Sequence, residues 1–330
     1  MMTPLKIGVM PQLRAWYDRD PSVWDAASPH AHRLASLGAG LTIAGTVVFL
    51  VVLGILATAL WRRRTASGDL SGPAPAANEH RWVIGGGLIL PVLVLTGVFI
   101  ATLVSLRGLG ADDDGAPPPD IIVIGHQWWW EIRYPVAGVV TANELHLPVG
   151  SPVRVELQSA DVIHSLWVPN LEGKTDLIPG QRNHMTLAAD TAGVYRAQCA
   201  EFCGLQHAHM ALTVIAEDSS VYARWVQHAK QPAPPPADPA ATRGQAAFFA
   251  HSCAFCHTIR GTSAGGRAGP DLTHLGGRRT LAAGTLTNTT GNLAGWISNP
   301  DRLKPGSKMP PIAVDAASLQ AIIHYLESLK

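Results

Sequence analysis

Residues 199–210 read CAEFCGLQHAHM, which places Cys199, Cys203, His207 and Met210 in one loop-sized segment. Another histidine, His164, lies upstream in DVIHSLWVP. Two thiolates, two imidazoles and a thioether form a soft, nitrogen-bearing donor set of the kind that suits copper. A mononuclear blue site needs one cysteine, two histidines and a weak axial methionine, and this set has one thiolate more. Two cysteine sulfurs can each bridge two copper ions, with one histidine per metal. Met210 and a backbone carbonyl then complete the two shells. Sharing an unpaired electron over two metals lowers the reorganisation that accompanies electron transfer. The alternatives are a four-ligand zinc site from Cys199, Cys203, His207 and His164, or a Cys199–Cys203 disulfide. The disulfide leaves three convergent soft ligands unexplained.

The other two of the four cysteines, Cys253 and Cys256, precede His257 in CAFCH. This is the attachment signature of covalent haem: two thiols add to the vinyl groups, and His257 supplies an axial imidazole. Met309, in KPGSKMPP, is available as the sixth ligand, and Pro310 and Pro311 place it in a loop rather than a packed helix. A thioether stabilises ferrous iron and raises the potential. With both axial positions filled by protein, such an iron carries electrons and does not bind substrate.

Elements that could hold these groups are also legible. The charged fraction is only 15% against 47% hydrophobic residues, and the formal net charge of +1 excludes a strongly basic nucleic-acid binder. Neither Leu34–Trp61 nor Trp82–Leu106 contains a charged residue, and each exceeds the roughly 20 residues that cross a bilayer. WRRR (61–64) and Arg81 bracket the connection between the runs, so the positive-inside rule puts that loop in the cytoplasm and both termini outside. Residues 1–33 lack the apolar core of a cleavable signal peptide. GAPPPD (115–120) and KQPAPPPADPAATRG (230–244) read as stiff linkers. Between them, DIIVIGHQWWWEIRY, SPVRVELQS, VIHSLWVP, GVYRAQ and MALTVIA predict short strands of an antiparallel sandwich. SSVYARWVQHA predicts a helix leading into the second linker. The last block predicts short helices at ATRGQAAFFAHS, LAGWISN and DAASLQAIIHYLESL.

CAEFCGLQHAHM, DVIHSLWVPNLEGKTDLIPGQRN and GHQWWWEIRY together strongly resemble subunit II of haem–copper cytochrome c oxidases. CAFCH, GPDL (269–272), WISNPDRLKPGSKMP and the terminal helix resemble class I cytochromes c, and the fusion is similar to the caa-type branch. The resemblance implies a dinuclear CuA centre held by His164, Cys199, the carbonyl oxygen of Glu201, Cys203, His207 and Met210. It implies that the Glu201 side chain reaches a magnesium or manganese ion shared with subunit I. It nominates Trp128 for the electron path into CuA and Glu79 for the mouth of a proton channel. Trp129 and Trp130 are expected to be packing residues, and His209 a surface histidine.

The expected architecture is therefore a multidomain membrane protein. An extracytoplasmic segment (1–33) is followed by a two-helix transmembrane hairpin (34–109) and an all-β cupredoxin-like sandwich (117–228). A Pro-rich linker (229–240) leads to an all-α cytochrome c domain (241–330). The function implied is electron input to a respiratory oxidase of the cytoplasmic membrane. Electrons would pass from an external donor such as a cytochrome c through one haem c to CuA, and on to subunit I, with subunit III as a further partner. Oxygen chemistry would reside in subunit I, leaving no catalytic residue here. The rivals are the input subunit of a CuA-type nitric oxide reductase and, from a different class, a membrane-tethered copper-binding module.

Overall fold

The computed structural model describes residues 17–65, 79–106 and 118–330. These form two compact units, one of residues 32–113 and one combining residues up to 31 with those from 114 onward.

In the first unit, helix α1 (Pro29–Thr65) and the pair α2 (Glu79–Ile84) and α3 (Leu90–Leu106) are long and apolar enough to cross a membrane. Helix α1 starts ahead of the apolar run, at Pro29, a residue suited to the first turn because its missing N–H has no partner to lose. Between α2 and α3 the backbone widens into a π-helical turn, Gly85–Ile89. That turn opens with three consecutive glycines, the weakest helix formers after proline.

The second unit contains two five-stranded sheets. The first runs β3 (Val139–Ala142), β2 (Trp129–Tyr134), β1 (Ile121–His126), β5 (Val153–Ser159), β8 (Asn183–Leu187). The second runs β4 (Glu144–Pro148), β10 (Ala211–Glu217), β9 (Gly193–Cys199), β6 (His164–Trp167), β7 (Thr175–Leu177). The sandwich is mixed rather than purely antiparallel. β1 pairs parallel with β5 and β4 pairs parallel with β10, because the chain crosses between sheets before returning. Alternate residues such as Val123, Ile132, Leu145, Leu157, Leu166 and Leu212 fill the space between the sheets, each stabilising by roughly 1.5–3 kcal/mol.

DIIVIGHQWWWEIRY does not form one strand. It folds back at Gln127 and Trp128, pairing His126 with Trp129, so Trp128 sits at a hairpin tip while Trp130 is fully buried. Within the N-terminal segment, residues 17–31 lie on the sandwich. The Asn170 amide donates to the carbonyls of Asp20, Ser22 and Asp25, and the Asp18 amide bonds the Val194 carbonyl.

Helix α4 (Ser219–Ala229) leads through the proline-rich stretch to α5 (Pro239–Ala250). Asp238 caps α5 by accepting from the Ala241 amide at 2.8 Å. α5 packs against the terminal helix α8 (Ala316–Ser328) through Phe248, Ile322, Tyr325 and Leu326. Two further helices, α6 (Thr290–Ser298) and α7 (Pro300–Leu303), precede the loop that carries Met309.

Candidate metal centre and haem site

His164 opens β6 and Cys199 closes β9, and these strands are neighbours, with Leu166 opposite Cys199. The Cys199 amide bonds the Met210 carbonyl at 2.9 Å, so residues 200–209 form a loop closed at its base. Inside it, Cys199 Sγ lies 3.7 Å from Cys203 Sγ and 3.9 Å from His164 Nδ1. Cys203 Sγ lies 3.7 Å from His207 Nδ1 and 3.9 Å from Met210 Sδ. The Glu201 carbonyl oxygen is 3.3 Å from Cys199 Sγ. Six donors named from the sequence thus face one another around two sulfurs. The sulfur separation is far beyond the ~2.05 Å of a disulfide, yet a single metal with bonds of ~2.3 Å could touch both.

The imidazole of His164 is fully buried and oriented by Asp161, whose Oδ1 is 2.8 Å from Nε2. A proton on Nε2 leaves the Nδ1 lone pair facing the sulfurs. Partial burial would raise the Asp161 pKa, but hydrogen bonds from His164 and from the Gln127 and Val162 amides hold it below the ordinary value. The two thiols behave as a pair. The adjacent Cys203 sulfhydryl, opposed by burial and assisted by His164, pulls the Cys199 pKa down, and the resulting thiolate pushes Cys203 up.

Gly125 on β1 has a role that sequence reading missed. A Cβ there would fall 2.7 Å from His164 Cδ2, so any side chain would displace the imidazole. A glycine inside a strand pattern signals such close approach. The Trp128 indole Nε1 and the Gln127 amide both donate to the Cys203 carbonyl, at 2.9 and 2.8 Å. Trp129 stacks on His126 instead.

Glu201 turns its carboxylate outward, 44% exposed and 3.4 Å from Lys174 Nζ. His209 is exposed, its Nδ1 2.8 Å from Gln206 Oε1. Glu79 begins α2, but its side chain lies outside the described residues.

In the cytochrome region, Cys253 opens a short 3-10 turn and Cys256 follows it, both as free thiols. His257 Nδ1 sits 2.8 Å from the Pro270 carbonyl. That contact fixes the proton on Nδ1 and frees Nε2 for a metal. Burial, with only partial compensation from that carbonyl, lowers the His257 pKa and so favours the neutral, ligating form. Met309 is half-buried in a segment without regular structure. The residues present therefore fit a covalently attached haem.

Comparison with known proteins agrees with this layout. Residues 138–217 match the family model for the cytochrome c oxidase subunit II periplasmic domain, and residues 241–330 match that for cytochrome c. The chain is 40% identical over 198 residues to cytochrome c oxidase subunit 2 of Alkalihalophilus pseudofirmus, covering 60% of this chain and 57% of that one. It is 31% identical over 212 residues to the Bacillus subtilis subunit, covering 61% of this chain and 59% of that one. The matches thus span a little over half the length of these relatives. Among solved structures, the periplasmic domain of cytochrome oxidase subunit II from Bradyrhizobium japonicum is similar over 34% of this chain and 96% of that one, with 32% identity and a TM-score of 0.33. By these matches residues 138–217 are similar to the periplasmic domain of cytochrome c oxidase subunit II, and residues 241–330 are similar to cytochrome c.

Proposed function

We propose that this chain is the electron-input subunit of a haem–copper oxidase, taking electrons at its cytochrome domain and delivering them through a dinuclear copper centre to a catalytic partner, subunit I. The observation that carries the reading is the position of Trp128. Its indole donates to the carbonyl of Cys203, and its backbone carbonyl accepts from Lys304 of the cytochrome domain at 3.0 Å. One residue thus touches both the metal loop of the sandwich and the cytochrome domain.

His164, Cys199, Cys203, His207, Met210 and the Glu201 carbonyl would hold two copper ions. Six donors exceed the four that a structural zinc site takes, and the thioether adds softness suited to copper. Cys253, Cys256, His257 and Met309 would hold haem c. When bound, the two groups supply one-electron transfer at potentials set by their ligands. The protein's part is orientation. Asp161 holds one imidazole, Pro270 the other, and the paired bonds to the Cys203 carbonyl fix the metal loop. The apolar helices would anchor the chain in a membrane, oriented by Arg62, Arg63 and Arg64. The outward Glu201 carboxylate would share a magnesium or manganese ion with subunit I.

Two measurements test the reading. In anaerobic stopped flow on the complex with its partner, mixing with reduced soluble cytochrome c should first raise the haem c band. The copper absorption should then bleach at a rate independent of donor concentration. Copper bleaching ahead of haem, or in proportion to donor, would overturn the proposed order. Separately, Met309→Ala should retain covalent haem, bind carbon monoxide in the ferrous form and lower the haem potential. A variant that stays low-spin with an unchanged potential would assign the sixth ligand elsewhere.

A further inference from the structure

Lys304 follows α7 in the cytochrome domain, and only 3% of it is exposed. Its ammonium donates to three carbonyl oxygens: Trp128 at 3.0 Å, His209 at 2.8 Å and Ala282 at 2.9 Å. The first two belong to the sandwich, one at the β1–β2 hairpin tip and one in the metal loop. The third belongs to the cytochrome domain's own loop. A buried cation is tolerated only where its donors are all satisfied, and three carbonyls match the three N–H bonds of an ammonium. Burial, only partly opposed by Cys203, pulls the Lys304 pKa down to about 7, and a neutral amine could serve only two of the three carbonyls.

Other contacts surround this one. The Gln206 amide donates to the Pro305 carbonyl at 2.7 Å, and the Ala211 amide to the Ala283 carbonyl at 3.0 Å. The Arg279 amide donates to Glu144 Oε1 at 2.6 Å. Lys308, beside Met309, lies 3.3 Å from Asp161, the carboxylate that orients His164. Gly306 has φ +81, and a Cβ there would sit 2.8 Å from Leu205 Cδ2 and 3.7 Å from Trp128 Cη2. The loop that carries Met309 is therefore seated directly against Trp128 and the metal loop.

We infer that Lys304 is a positioning residue that locks the cytochrome domain onto the copper-binding face of the sandwich, so that electrons cross from a docked domain rather than one swinging on its linker. The proline-rich linker alone would set only an effective concentration; Lys304 converts proximity into one geometry. The inference rests on reading the two centres as an electron-transfer pair, and its test separates the two ideas.

Lys304→Met in the full cofactor-loaded chain should leave the copper and haem spectra unchanged. Hydrogen–deuterium exchange at the Ala211 amide should rise at least tenfold. Intramolecular transfer should slow at least tenfold and become dependent on solvent viscosity, and Lys304→Arg should recover part of both effects. Unchanged exchange and an unchanged rate in Lys304→Met would overturn the inference. If that variant does not fold, the wild-type protein still decides: its transfer rate should not vary with added glycerol, and a rate inversely proportional to viscosity would overturn docking. A protected Ala211 amide with no transfer at all would sink the electron-transfer reading alone.

Discussion

Replacing Cys203 with serine is expected to reduce bound copper from two ions to at most one per chain and to abolish a delocalised mixed-valence EPR signal. Cys203 Sγ is the hub of the site, the one sulfur within 3.9 Å of the Cys199 sulfur, the His207 imidazole and the Met210 thioether. A serine oxygen is harder and forms shorter bonds, so it cannot bridge two soft ions as a thiolate does. Only one thiolate would remain, together with His164, which leaves at most a mononuclear site. Transfer from haem to copper should fall by more than a hundredfold, about 2.7 kcal/mol or more in barrier terms. Haem content should be untouched, because Cys253 packs against a separate core built on Phe248, Ile322 and Leu326. Fold loss is not expected from so small a change in volume at a buried position. Copper analysis and EPR on the same preparation decide the matter. Two coppers with an unaltered signal in the serine variant would sink the bridging assignment.

How far the site could be read from sequence follows from the range of each contact. Cys199, Cys203, His207 and Met210 fall in one short segment, so their types and spacing suffice to bring them together in any closed loop. The strand-forming runs VRVELQS and ALTVIAE are likewise local, and the two-sheet sandwich and the helical final block follow from such runs, although the sandwich is mixed rather than antiparallel. The partnership of His164 with Cys199 depends on β6 lying beside β9, a pairing that periodicity does not specify. The residue types nominate His164 as a donor, but only the strand pairing brings it to Cys199. Asp161 carries a weak local signal, three residues before His164. Lys304 carries none, because its meaning lies in carbonyls 176, 95 and 22 residues away. Residues 17–31 were illegible for the same reason. They contain no periodic apolar face, and they are held by Asn170 through backbone oxygens that any sequence would present. The parallel strand pairs escaped notice because strand direction is a property of the connections, not of the strands themselves.

Trp128→Gln is expected to slow haem-to-copper transfer at least tenfold, about 1.4 kcal/mol in barrier terms, with the copper spectrum unchanged. The indole links the two domains at one residue. Nε1 reaches the Cys203 carbonyl, and the far edge of the ring faces Gly306 in the Met309 loop. Glutamine keeps a polar donor but removes the conjugated ring, so any coupling carried by the ring is lost while the backbone carbonyl that receives Lys304 remains. The metal loop should survive, because Gln127 independently donates to the same Cys203 carbonyl at 2.8 Å. Trp129→Leu is the matched control. Its ring stacks on His126 at 4.3 Å and not on the metal loop, so it should change stability more than rate. Flash photolysis on the full chain, with exchange at the Ala211 amide measured in parallel, separates loss of coupling from loss of docking. A slowed rate with normal exchange places the effect in the ring. An unaltered rate with intact copper would make Trp128 a packing residue and move the path between the centres to the Lys308–Asp161–His164 contacts.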